Sequence, residues 1–93
     1  MRHNVCDRVL EIRRRLESAL QPQLLEVIDE GHMHVGHAGA RDGRGHFRVH
    51  IVSAQFSGRT GVQRHRLVYQ AMGDLMHSDV HALAIEALAP EEA

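Results

Sequence analysis

His46-Phe47-Arg48-Val49-His50-Ile51-Val52-Ser53 is the stretch on which the fold turns. Phe47, Val49 and Ile51 alternate with His46, Arg48 and His50, and a period of two puts the two sets on opposite faces of a strand. One face is apolar and the other carries two imidazoles and a guanidinium. Such a strand belongs to a sheet that is covered on one side and meets water on the other.

Downstream, Phe56-Ser57-Gly58-Arg59-Thr60-Gly61 leads into a helix expected over 60–76. Thr60 and Gln63 fit a capping box, in which each side chain satisfies a backbone amide near the other. Val68, Ala71, Met72, Leu75 and Met76 supply its apolar stripe, with Gly73 weakening the last turns. A third strand is expected over 82–88, with His81, Leu83, Ile85 and Ala87 alternating on one side and Pro90 ending it. Strand–helix–strand order favours a right-handed parallel crossover.

Upstream, residues 31–45 hold five of the eight glycines and no strong periodicity, which predicts a flexible loop. Before it, Leu24 to Asp29 alternates weakly and reads as a first strand, close enough to pair antiparallel with the second. A first helix is expected over 5–20, because Val5, Val9, Ile12, Leu16 and Leu20 recur at three- and four-residue steps. Asn4 can cap its start and Pro22 stops it. Glu11 and Arg15 are spaced for an ion pair, and Arg13-Arg14-Arg15 reads as a solvated face. The order is αββαβ: an α+β domain, residues 1–93, with a three-stranded mixed sheet covered by helices on one face.

Composition narrows the function classes. The chain has 93 residues, no Trp, two Phe and one Tyr, so its core is aliphatic. All eleven basic residues are Arg and the net charge is −1, which argues against strong whole-molecule attraction to nucleic acid. Cys6 is the only cysteine, so no internal disulfide forms; a reducing, cytosolic setting is expected. No apolar run approaches the length of a membrane span. Cys6 has no identifiable catalytic partner, and no nucleophile–base–orienter set emerges anywhere, so an enzyme is not expected. The stretch from Phe56 to Gly61 lacks the Gly-Lys-Ser/Thr ending of a phosphate loop.

Nine histidines are the outstanding feature. His32, His34 and His37 fall within six residues of the glycine-rich segment, beside Asp29 and Glu30. Neutral imidazoles suit zinc, copper, nickel and iron, yet the spacing matches no tight zinc signature, so a metal loop and a solvated polar loop both stand. His81, in phase with core residues, is either a buried histidine bonded to a carbonyl or a ligand. The ligand reading requires the histidine-rich loop to lie at the same edge of the sheet. Arg64, His65 and Arg66 diverge by about 100° per residue on a helix and cannot converge on one phosphate.

Taken together, His46 to Ser53, Phe56-x-Gly58, Arg64-His65-Arg66-Leu67-Val68-Tyr69 and His81-Ala82-Leu83-Ala84-Ile85 resemble the BolA family in order and spacing, across roughly residues 5 to 90. The resemblance implies a fold akin to the second type of KH domain and partnership with monothiol glutaredoxins. It implies that His81 ligates a bridging [2Fe–2S] cluster, with His34, or alternatively His37, as the second ligand. The partner supplies its cysteine thiolate and bound glutathione, and no cofactor is expected tightly bound in the free chain, a monomer or weak homodimer. The family is also linked to transcription regulation, which maps onto Arg64, Arg66 and Arg59 as candidate nucleic-acid contacts. Gly58-Arg59-Thr60-Gly61 has the letters of a KH phosphate clamp, but it precedes a helix instead of joining two.

Overall fold

The structure, a computed structural model, describes residues 5–30 and 45–93, with side chains from residue 8 onward. The Asn4 cap, the packing of Cys6 and most of the expected 31–45 loop, with His34 and His37, lie outside the described residues.

The chain opens with helix α1 (Val5–Leu20). Strands β1 (Leu24–Asp29) and β2 (Gly45–Val52) follow and pair antiparallel, with Val27 opposite Val49. A short 3₁₀ turn leads to helix α2 (Gly61–Met72), a four-residue helix α3 (Leu75–Ser78) and strand β3 (Val80–Leu88). β3 lies parallel to β2, as expected, giving the sheet order β1-β2-β3. Among the described residues, no helix is long and apolar enough to cross a membrane.

The alternation of β2 builds the core as expected. Phe47, Val49 and Ile51 are buried, and they pack with Ile12, Leu16 and Leu20 of α1 and Val68 and Met72 of α2. Leu83, Ile85 and Ala87 of β3 pack against the same cluster. On the other face, Arg48 is exposed, and His46 and His50 are half-buried.

α1 ends where a left-handed residue and Pro22 stop it: Gln21 has φ 48°, outside the helical region. The orphaned carbonyl of Leu20 accepts a hydrogen bond of 2.6 Å from the buried Ser53 hydroxyl. The capping box of α2 is present in both directions, at 2.9 Å from the Thr60 amide to Gln63 and 3.2 Å from the Gln63 amide to Thr60.

The second helix is shorter than 60–76. It stops at Met72, and Gly73 follows with φ 58° and ψ −134°, a conformation that favours glycine. Arg15 fastens this break. It donates to the Met72 carbonyl at 2.8 Å and to Asp74 at 3.2 Å, while Glu11 holds it at 3.2 Å as the i,i+4 pair expected. Arg13 donates to the Leu25 carbonyl at 3.0 Å. The arginine run is therefore only partly a solvated face, because two of its members tie α1 to β1 and to the α2–α3 break.

Arg64 clamps the C-terminus. It donates to the Ala87 carbonyl at 3.0 Å and to both carboxylate oxygens of Glu92, at 2.6 and 3.1 Å. That hydrogen-bonded pair lowers the Glu92 pKa and raises that of Arg64. A carboxylate whose folded pKa is depressed stabilises above its unfolded value and loses that contribution as pH falls through the folded value. Residues 89–93 are therefore expected to fray in acid, beginning below the ordinary glutamate value of 4.5 and before global unfolding. Amide exchange corrected for its intrinsic pH dependence reads this, and Glu92→Gln should remove the acid-induced loss of protection.

Candidate functional site

β2 and β3 run parallel, so their N-terminal ends sit side by side. Gly45 donates to the Asp79 carbonyl at 2.9 Å and fixes the two starts together. A glycine is needed there, because a Cβ at 45 would come within 2.6 Å of the Phe47 ring. Asp79 is buried and accepts from Arg8 at 3.4 Å and from Ser78 at 2.5 Å, which anchors the start of β3 to α1 and α3.

The pairing then slips by one residue. Gly45 is opposite Val80, but His46 is opposite Ala82. One extra residue, His81, is taken up between them, the arrangement of a β-bulge, which re-aims a side chain. Val80 is buried in the core and Leu83 packs against it, while His81 and Ala82 are exposed. This corrects the expectation that His81 follows Leu83, Ile85 and Ala87 onto the core side. His81 instead lies beside His46, with ring centroids 4.9 Å apart and planes tilted by 47°. The buried-histidine reading of His81 does not hold.

Both anchors of the histidine-rich segment are at this end of the sheet. Glu30 donates its amide to the His46 carbonyl at 2.8 Å, and its carboxylate accepts from Arg48 at 2.9 Å. Residues 31–44 thus leave at Glu30 and return at Gly45, next to His46. The described residues that flank this segment, Glu30 and Gly45, are at the end of the sheet that carries His81.

His46 is the residue that sequence reasoning missed. The signal was present in two parts: its place on the polar side of β2, and the parallel crossover that aligns the starts of β2 and β3. The bulge that turns His81 toward it leaves no sequence mark. His50, four residues on, is held differently, with Nδ1 2.5 Å from a carboxylate oxygen of Glu86 across the open face. Among the described residues, no group of three His, Cys, Asp or Glu side chains converges as a metal cage.

The candidate nucleic-acid residues do not gather. Arg64 is turned inward to the C-terminal clamp, with 12% of its side chain exposed. Arg59 is exposed and donates to the Gln55 carbonyl at 2.9 Å, and Arg66 is exposed on α2.

Comparison with known proteins follows the same lines. The sequence profile described as "BolA-like protein" matches residues 16–92. The chain is 44% identical over 90 residues to SufE-like protein 1, chloroplastic/mitochondrial, of Arabidopsis thaliana, covering 91% of this chain and 24% of that protein. It is 44% identical over 81 residues to BolA-like protein 1 of Mus musculus, covering 87% and 57% of the two. A third relative, at 35% identity over 81 residues, covering 87% and 76%, is named DNA-binding transcriptional regulator BolA of Haemophilus influenzae. The chain therefore spans a quarter to about half of the length of the first two relatives. The solved BolA domain of SufE1 from Arabidopsis thaliana superposes with a TM-score of 0.82 at 43% identity, over 92% of this chain and 95% of that one. With the αββαβ order, the mixed sheet and these matches in agreement, the chain belongs to the BolA-like protein family.

Proposed function

We propose that this chain is a non-enzymatic adaptor that shares a bridging [2Fe–2S] cluster with a monothiol glutaredoxin in iron–sulfur trafficking or iron regulation. His81 ligates iron, and His34, or alternatively His37, is the second ligand from this chain. The observation that carries this reading is the bulge that exposes His81 at the sheet end where residues 31–44 are anchored. An exposed imidazole can be reached by iron held by another protein, whereas a core histidine could not. The donor set suits the group, since imidazole replacing thiolate lowers the negative charge around iron and tends to raise its reduction potential. The cytosolic, reducing setting expected from a single cysteine suits a partner that works through a free thiolate.

The test is to reconstitute the chain with a monothiol glutaredoxin, iron, sulfide and glutathione. Visible absorption and circular dichroism are then compared with those of the glutaredoxin alone. A one-to-one complex with a distinct spectrum is expected. An unchanged spectrum with no complex on gel filtration would reject the reading.

A DNA-binding regulator is the alternative, motivated by the name of the Haemophilus influenzae relative. Arg59 and Arg66 are exposed and would carry it, but Arg64 is engaged elsewhere and the net charge is −1. Binding to duplex DNA at about 0.15 M salt is expected to be weak and steeply salt-dependent. Nanomolar, sequence-selective binding in a titration against several duplexes would reverse the ranking.

A further inference from the structure

We infer that His46 and His81 form a two-imidazole chelate for a single divalent d-block ion, zinc for preference, in the free chain. This site needs neither glutaredoxin nor glutathione, so it stands apart from the cluster reading although it shares His81 with it.

Two imidazoles bound side by side to one tetrahedral ion, at Zn–N distances of about 2.0–2.1 Å, have ring centres roughly 5 Å apart. The His46 and His81 centroids are 4.9 Å apart, and the rings are tilted by 47° instead of stacked flat. Side-chain torsion would have to bring one nitrogen of each ring toward a shared ion.

Preorganisation is the second element. His46 is on β2 and half-buried, while His81 is on the bulge of β3. The Gly45–Asp79 hydrogen bond holds the two strand starts at 2.9 Å, and buried Asp79 is fastened to Arg8 and Ser78. Two ligands on hydrogen-bonded strands lose little backbone freedom on closing over an ion.

The ligand chemistry follows from the donors. Neutral imidazole favours zinc, copper and nickel over magnesium or calcium, which take oxygen ligands. Among the described residues no third side chain joins the two imidazoles, which leaves the ion's remaining positions open. Such a site exchanges its metal readily, unlike a closed four-ligand structural zinc. Since His81 serves both, zinc on the free chain and iron in the shared complex exclude one another.

Zinc chloride titrated into the free chain, residues 1–93, provides the test, with imidazole nitrogens followed by ¹H–¹⁵N NMR and affinity by calorimetry. The His46 and His81 ring signals are expected to shift together and to saturate at one equivalent. His46→Ala and His81→Ala should each weaken that site at least tenfold. The control variant His32→Ala/His34→Ala/His37→Ala should retain it. Shifts confined to other histidines would overturn the assignment, as would an unchanged affinity in the folded His46→Ala protein. So would loss of the site in the triple variant. Should His46→Ala fail to fold, the ring shifts of the parent chain still decide. None of these outcomes bears on the glutaredoxin complex, which is assembled and scored separately.

Discussion

Alanine in place of His81 is expected to leave the domain folded and, under the proposed function, to remove one iron ligand from the shared complex. His81 is exposed on a bulge, and Val80 and Leu83 on either side supply the core contacts of that end of β3. Truncating it deletes a ring contact with His46 and no core packing. The cost to stability is expected to stay under about 1 kcal/mol, as for surface substitutions away from special features. The effect on the cluster is of a different order. Removing even a group that only orients a metal ligand costs about 10–100-fold, and removing the ligand itself is expected to shorten the cluster lifetime by at least that much. The readout is the visible and dichroic spectrum of the purified complex, followed over time. His34→Ala alone is expected to have a smaller effect if His37 substitutes for it, and the double variant His34→Ala/His37→Ala removes that escape. A folded His81→Ala chain whose complex matches the parent in spectrum and lifetime would show that His81 is not a ligand.

Phe47→Ala is expected to do the reverse, destabilising the fold from the other face of the same sheet. Phe47 and Phe56 are the only phenylalanines, and there is no Trp. Both are essentially fully buried, at 1% and 0% exposure, in a core that is otherwise aliphatic. Removing a buried Phe side chain costs about 3–5 kcal/mol through lost transfer energy and the cavity left behind. A domain of this size has roughly 5–15 kcal/mol in total. The Phe47 ring also lies under Gly45, at the point where β2 and β3 are fastened, so collapse of the cavity would disturb the bulge. Thermal or urea unfolding measures the loss, with a fall in melting temperature of more than about 12 °C expected. A shift below about 4 °C would mean that the site repacks without a cavity.

These two substitutions differ by 34 positions in sequence and lie at neighbouring ends of paired strands. Their opposite consequences come from which face each side chain takes. For β2 that choice was legible from residue order. Phe47, Val49 and Ile51 alternate with His46, Arg48 and His50, and a period of two admits one assignment once a single face is buried. Helix α1 was legible for the same reason, with Pro22 as its stop. The Thr60–Gln63 capping box and the Glu11–Arg15 pair were legible because both are local, made by residues three or four apart.

What the sequence by itself determined, then, is the set of contacts that depend on near neighbours and on periodicity: the element order, the one-sided sheet and the residues of the core. What only the tertiary structure decided is where long-range contacts override the local period. Gly73 ends α2 at Met72 because Arg15, 57 residues away in sequence, holds the Met72 carbonyl. Arg64 looks like a surface cation in its helix and is turned inward by a carboxylate 28 residues away. His81 follows the core period of β3 on paper, and the register slip against β2 turns it out to His46. A bulge is a property of two paired strands, set by how Gly45, Phe47 and Asp79 fit together, and no periodicity within one strand encodes it.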